Sequence, residues 1–342
     1  MRTKIFTLSN RNTTCYFDAD FSTFRKEADC ANVILITDEN VFEHHNSRFN
    51  GYDVITIPPG EKMKTQETVD RIIGQLLEIE VDKDCMIVGI GGGVVTDIAG
   101  YVASIYKRGT RLALVPTTIL GMVDAALGGK NGVDVGFYKN MIGTVYQPEI
   151  IFFDYSFLQS LPVKEWVNGF AEIIKHACIA DKTLFAMLER YNLHQFQSDI
   201  SLLASLIERN VEIKMGIVQR DEYENADRRL LNFGHTVGHA IENLHHLDHG
   251  HAVSIGMVAA CNLSEKINDL HFSDGARVIK LLAHYHLPVD IETDHEEVFN
   301  VLKMDKKRQG EVLHFVLLNS IGDAEARPVN ISYLKENLNL IL

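Results

Sequence analysis

Between Leu231 and His251 the chain reads LNFGHTVGHAIENLHHLDHGH, a stretch holding six of its fifteen histidines: His235, His239, His245, His246, His249 and His251. His235 and His239 stand four residues apart at helical spacing, so both imidazoles leave one face of a helix. Two imidazoles on one face are half of a zinc-type site, and a histidine beyond the next turn can complete it. Spacing alone leaves His239, His249 and His251 open as further ligands. Upstream, Glu172 and Lys175 fall on a predicted helix with His176 beside them, which adds a carboxylate of the kind catalytic metal sites use. The plainer alternative is a polar helix end followed by a solvated histidine loop.

A second group of residues could hold an anion. Gly89-Ile90-Gly91-Gly92-Gly93-Val94 lies where an apolar run, Cys85–Ile90, hands over to a helical pattern from Val94 to Tyr106. Glycine there lets a ligand approach the backbone, and the first N–H groups of a helix attract phosphate oxygens. Val94 takes the place of the third glycine of the GxGxxG fingerprint, and no Walker motif is present. A tight strand–helix turn is the structural alternative. Asp38 closes an early apolar run and could accept from a ribose hydroxyl. Thr117-Thr118 closes a later one, and ligands of parallel sheets gather at the carboxyl ends of the strands. A dinucleotide is the expected ligand. Lys130 after Gly128-Gly129 reads as a cation on a flexible turn. Lys139-Asn140, Lys175, Lys214, Arg228 and Lys306 add further polar groups. Singly each is an ordinary surface residue; together they would form a pocket for a multiply anionic small molecule.

The elements that would carry these residues change in kind along the chain. Residues 33–37, 54–57, 85–90, 112–115 and 150–153 are short runs of strand type, largely apolar. Helical spacing falls between them at 65–79 and 94–106, which predicts crossovers and a mostly parallel sheet. Beyond Leu161-Pro162 the periodicity is helical almost to residue 300, and Val312–Leu318 with its polar return looks like a hairpin. The predicted fold is an α/β dinucleotide-binding domain over residues 1–160 and an all-α domain, that hairpin apart, over 161–342. No flexible spacer marks the boundary, so a tight domain contact with the site in the cleft is expected.

Composition narrows the classes. A formal charge of −13 argues against nucleic acid as a partner. The five scattered cysteines lack any Cys-x2-Cys pair and point to a reducing compartment. Neither a leader-like apolar core nor a membrane-length apolar run is present, so a cytoplasmic location is expected.

In its motifs the chain resembles the 3-dehydroquinate synthases, enzymes of the shikimate pathway. The matching stretches include PPGEKMK at 58–64, GGGVVTDIAGYVASIYKRG at 91–109, PTTILGMVDAALGGKNGVD at 116–134, NGFAEIIKH at 168–176, RDEYENADRRLLNFGHTVGHAIE at 220–242 and HGHAVSIGM at 249–257. Many motifs in one order are far more specific than any single motif. The resemblance implies an NAD-binding α/β half, a helical half, and pairing as a homodimer. It implies zinc or cobalt held by Glu172, His235 and His249. Implied substrate contacts are Asp124, Lys130, Asn140, Lys175, Lys214, Glu224, Arg228, Asn232, His239 and Lys306, with Arg108 reaching the partner subunit's site. Implied NAD contacts are Asp38, Asn40, Glu61, Lys64, Gly92, Gly93, Val94, Asp97, Thr117, Thr118, Lys139, Phe157 and Ser160.

The family reaction turns a seven-carbon 2-keto-3-deoxy sugar acid phosphate into 3-dehydroquinate. It runs by transient oxidation, phosphate elimination, re-reduction and intramolecular aldol closure. The chain departs from the family pattern at Thr96, Ala125, Ala126, Leu127, Asn131, Gln159, Ser160 and His251; the last stands where the family has glutamate. The departures at Ala125–Leu127 and Asn131 keep a sister sugar-phosphate cyclase open. A metal- and NAD-dependent polyol dehydrogenase and a non-catalytic NAD sensor are the remaining alternatives.

Overall fold

The first unit is built on strands whose alternate residues serve opposite faces. The computed structural model describes residues 1–9, 11–136, 138–303 and 308–342, and the chain divides into two compact units. One comprises Met1–Glu165 with Ala204–Glu222, the other Trp166–Leu203 with Tyr223–Leu342.

In the first unit, seven strands form one sheet: β1 (Arg2–Thr7), β2 (Asn12–Phe17), β3 (Val33–Asp38), β4 (Asp53–Ile57), β5 (Met86–Gly91), β6 (Arg111–Pro116) and β9 (Ile150–Phe152). Their order is β1-β2-β9-β6-β5-β3-β4. All neighbours are parallel except β1 with β2. Two further strands, β7 (Lys130–Val135) and β8 (Tyr138–Val145), form a separate hairpin. The helices of this part are α1 (Phe24–Ala28), α2 (Glu39–His45), α3 (Gln66–Glu78) and α4 (Gly93–Ile105).

Both faces of the parallel strands are buried. Ile34, Ile36, Ile87, Leu112 and Leu114 pack with α3 and α4 residues such as Val69, Ile72 and Ile98. Val33, Leu35, Met86, Val88, Ala113 and Val115 pack with Phe21, Phe24, Phe49, Phe152 and Phe157. Burial on two sides is why these strands read as continuous apolar runs and not as alternating ones. The connection from β3 leads outward to β4, whereas β5 lies on the other side of β3 and continues to β6. Such a reversal opens a crevice at the carboxyl ends of the two strands. Asp38 and Gly91 are the residues that end them.

The later helices are α5 (Val163–Ala180), α6 (Lys182–Arg190), α7 (Leu193–Ser198), α8 (Ile200–Arg220), α9 (His235–His245), α10 (His249–Ile267), α11 (Phe272–His284), α12 (His295–Lys303) and α13 (Ile331–Ile341). Most of α8 groups with the sheet unit. The helical unit also carries the expected hairpin, β11 (Val312–Ser320) with β12 (Asp323–Asn330), joined by a short β10 (Arg308–Gln309). Its core joins Val237, Ile241, Ile255, Leu263, Phe315 and Leu317. No helix among the described residues is long and apolar enough to cross a membrane. All five cysteines are free thiols.

Candidate active site

In the helical unit a carboxylate and two imidazoles converge. Glu172 is fully buried on α5. Its Oε1 lies 3.5 Å from His235 Nε2 and 3.4 Å from His249 Nε2, while its Oε2 pairs with Lys175 Nζ one turn along the same helix. Ligand atoms about 2.0–2.2 Å from a tetrahedral ion stand roughly 3.4 Å from one another, so the two distances from Glu172 suit a divalent cation, and all three donor atoms lie within 4.8 Å of one another. The polarity fits too. His235 Nδ1 lies 3.1 Å from the Phe233 carbonyl oxygen, and a carbonyl only accepts. The proton is therefore on Nδ1, and the Nε2 lone pair faces Glu172. Burial works against a charge on His249, but the carboxylates of Glu172 and Glu242 outweigh it and raise the imidazole pKa to about 10, so the pocket draws in positive charge, as a proton on this ring or as a cation in its place.

Close helix contacts bring these groups together. Gly234, at φ +79°, caps the start of α9, and a Cβ on Gly256 of α10 would lie 1.9 Å from its carbonyl oxygen. At the start of α10, the Gly250 N–H donates to Asn168 Oδ1 at 2.5 Å, and a Cβ there would meet the Asn168 carbonyl oxygen at 2.1 Å. Asn168 sits one turn before Glu172 on α5, so the absence of a side chain at Gly250 sets His249 beside that carboxylate. Gly250→Ala is therefore expected to destabilise the protein by about 1–3 kcal/mol through overpacking. It should also weaken divalent-metal binding, as read by thermal unfolding and metal titration; unchanged values of both would refute the contact.

The remaining predicted residues of this unit are arranged around the same elements. The His239 ring is perpendicular to that of His235 at 5.4 Å between centroids, and 6.4 Å from that of His249. Asn232 Nδ2 donates to Glu224 Oε1 at 2.5 Å, Glu224 itself adopting φ +63°. Arg228 is buried. His251 has its Nδ1 3.9 Å from Asp248 on the first turn of α10, and is not among the three side chains that converge. Lys306 lies outside the described residues. Glu242, whose carboxylate approaches His249, escaped the sequence reading. Its position seven residues after His235 and three after His239 is the periodic sign that could have found it.

In the sheet unit, Asp38 caps α2 by accepting from the Val41 N–H at 2.9 Å. Burial raises its pKa, with the backbone N–H groups of Val41 and Asn40 working the other way. Asn40 follows on the exposed side of α2. Gly92 caps α4 with no side-chain acceptor on that helix's first turn, and Gly93 and Val94 follow, partly exposed. A Cβ on Gly92 would sit 3.0 Å from Thr118, and the Thr117 N–H donates to the Gly91 carbonyl at 2.9 Å. The turns after β5 and β6 are thus bonded to one another.

Lys64 joins α4 to the β7–β8 hairpin. Its Nζ pairs with Asp97 at 2.5 Å and donates to Asn140 Oδ1 at 2.6 Å. Burial opposes the charge, but Asp97, Glu61 and Asp134 outweigh it and hold the pKa above the usual lysine value. Asn140, at φ +52°, donates its N–H to Asp134 at 2.7 Å, with Lys139 next to it in β8. Phe157 is buried in the aromatic cluster against His45, whose Nε2 lies 2.8 Å from Ser160 Oγ. Lys214 of α8 donates to the Asp124 carboxylate at 2.7 Å and to its carbonyl at 2.6 Å. Arg108 is exposed in a left-handed run, Lys107–Gly109.

Lys130 corrects the sequence reading. It occupies the first position of β7 and not a flexible turn. The departures have local work as well: buried Asn131 donates to the carbonyls of Gly129 and Tyr146, and Thr96 Oγ1 donates to the Gly93 carbonyl.

Comparison with known proteins agrees in both halves. Family models described as 3-dehydroquinate synthase N-terminal and C-terminal match residues 54–168 and 169–308. A 3-dehydroquinate synthase of a Nitratiruptor species is 40% identical over 79% of this chain and 77% of its own length. One from Clostridium botulinum is 36% identical over 89% of both chains. Among solved structures, the 2-epi-5-epi-valiolone synthase of Streptomyces hygroscopicus subsp. jinggangensis, with NAD+ and Zn2+ bound, is 26% identical with a TM-score of 0.88, over all of this chain and 99% of that one.

Proposed function

Because this chain belongs to the 3-dehydroquinate synthase family, we propose that it converts the seven-carbon 2-keto-3-deoxy sugar acid phosphate of the shikimate pathway into 3-dehydroquinate and phosphate. The observation that carries this reading is the convergence of one Glu172 oxygen with the Nε2 atoms of His235 and His249. When bound, NAD supplies reversible hydride transfer at one substrate carbon, and a zinc or cobalt ion supplies acidification of its hydroxyl.

The chain's own residues do the rest. Glu172, His235 and His249 hold the ion. Gly92, Gly93 and Val94 at the start of α4 take the pyrophosphate, Asp38 and Asn40 the ribose side, and Lys64 with Asp97 fixes the surrounding loops. Lys130, Asn140, Arg228 and Lys306 take phosphate and carboxylate oxygens of the substrate, as charge-assisted bonds would, and so orient the reacting carbon. His239 handles the proton near the leaving phosphate. Arg108, exposed on its left-handed turn, reaches the second copy's site in a homodimer. The enzyme works in the cytoplasm, where its thiols stay reduced.

The test is incubation with that phosphate, NAD and Zn2+ or Co2+. Phosphate release without net NADH is expected, since the hydride is returned in each turnover. NADH accumulating from a plain polyol would instead show a dehydrogenase. NAD binding with no turnover of either compound would leave a sensor. A sister cyclase is the second reading, favoured by Ala125: a Cβ on Gly93 would lie 3.3 Å from its methyl, which puts a departure from the family pattern against the cofactor turn. Turnover of another sugar phosphate in preference to the seven-carbon acid would establish it.

A further inference from the structure

We propose that Glu242 is a positioning residue for the metal centre, holding the His249 imidazole with its Nε2 lone pair towards the ion. Three observations carry this. Glu242 is buried, with its side chain 6% exposed, and its Oε2 lies 3.6 Å from His249 Nδ1. His249 Nε2 lies 3.4 Å from Glu172 Oε1, so the ring has one carboxylate at each nitrogen. His235, Glu242 and His239 share one face of α9 by their spacing, so one helix supplies both a ligand and the group that orients another.

The geometry suits a ligating imidazole: with an ion at Nε2, the ring's one remaining N–H is on Nδ1, the side on which the Glu242 carboxylate lies ready to accept it. The Phe233 carbonyl does the same for His235 Nδ1. The two imidazoles are therefore polarised alike, one by backbone and one by a side chain. A carboxylate behind a ligating imidazole also raises its basicity, and removing such a partner typically weakens metal binding by about 10–100-fold. A purely structural role is the rival, since a carboxylate near the start of α10 is also favoured by that helix's dipole.

Glu242's role rests on the metal-centre reading above, and the experiment separates the two. Apoprotein of full length is titrated with Zn2+ and with Co2+ against a competing chelator, in wild type, Glu242→Gln, Glu242→Ala and His235→Ala. Glu242→Ala is expected to weaken affinity by about 100-fold and Glu242→Gln, which keeps an acceptor oxygen, by about 10-fold. The visible Co2+ bands should shift, and the melting temperature of the apoproteins should not. Metal affinity within about twofold of wild type in both Glu242 variants would overturn the inference. So would a loss that is equal in the two variants and matched by a fall in apoprotein stability, the mark of the structural role. Should Glu242→Ala fail to fold, Glu242→Gln decides alone. A wild type that binds no metal, or a His235→Ala that binds it equally well, would instead remove the metal centre itself.

Discussion

His235→Ala is expected to abolish divalent-metal binding and to lower turnover by roughly three orders of magnitude or more, because Lewis-acid stabilisation is worth several kcal/mol and each 1.4 kcal/mol is tenfold in rate. The protein should stay folded. The ring's backbone partner is the Phe233 carbonyl, and losing that hydrogen bond costs about 1 kcal/mol. The substitution leaves Glu172 beside Lys175, so the buried carboxylate keeps a cation. NAD affinity, carried by other residues, should be unchanged. Equilibrium metal titration, NAD titration and phosphate release measure the three quantities. Stoichiometric metal retention, or turnover within about tenfold of wild type, would contradict the ligand set.

The strands of the parallel sheet were legible because burial on both faces demands unbroken apolar runs, and the helix α3 because one buried face demands helical spacing; α4 is buried nearly all round from Val95 to Ala103. Two pieces hid for physical reasons. The β1–β2 hairpin lies at the sheet edge, where β1 exposes Ile5 and buries only Phe6, so its sequence RTKIFT carries almost no pattern. The β7–β8 hairpin hid behind its glycines. Gly132 pairs with Gly143, and a Cβ on Gly143 would lie 2.0 Å from the Asn131 carbonyl oxygen. Glycine there permits close strand approach and does not mark a loop. That is why Lys130 read as sitting on a flexible turn.

The site was legible in its residue types more than in its partnerships. Helical spacing paired His235 with His239, yet in the structure the convergent imidazoles are those of His235 and His249, brought together by the α9–α10 crossing at Gly234 and Gly256. That contact spans a turn and depends on missing side chains, which no periodicity reports. Spacing likewise could not show that Lys214 meets Asp124, ninety residues away. It treated the lysines as one cationic set.

Two of those lysines should respond to truncation in opposite ways. Lys130 is exposed at the first position of β7, so Lys130→Ala should change stability by no more than about 1 kcal/mol, the upper size of an exposed charged contact. On the proposal that Lys130 holds the substrate phosphate, losing that charge-assisted bond should nonetheless lower kcat/KM by about two orders of magnitude or more. Lys214 is different. Its side chain is 8% exposed and that of Asp124 22%, so Lys214→Ala leaves a largely buried carboxylate without its ammonium, at an expected cost of about 3 kcal/mol. Replacing both partners by neutral residues of similar size removes the charge as well as its partner. Lys214→Met combined with Asp124→Asn should therefore be more stable than Lys214→Met alone, with a coupling of about 1–3 kcal/mol in the double-mutant cycle. Denaturant unfolding of the four proteins measures that coupling. A value near zero would mean that the contact contributes nothing to the fold, and Lys214 would then be free to serve the substrate alone.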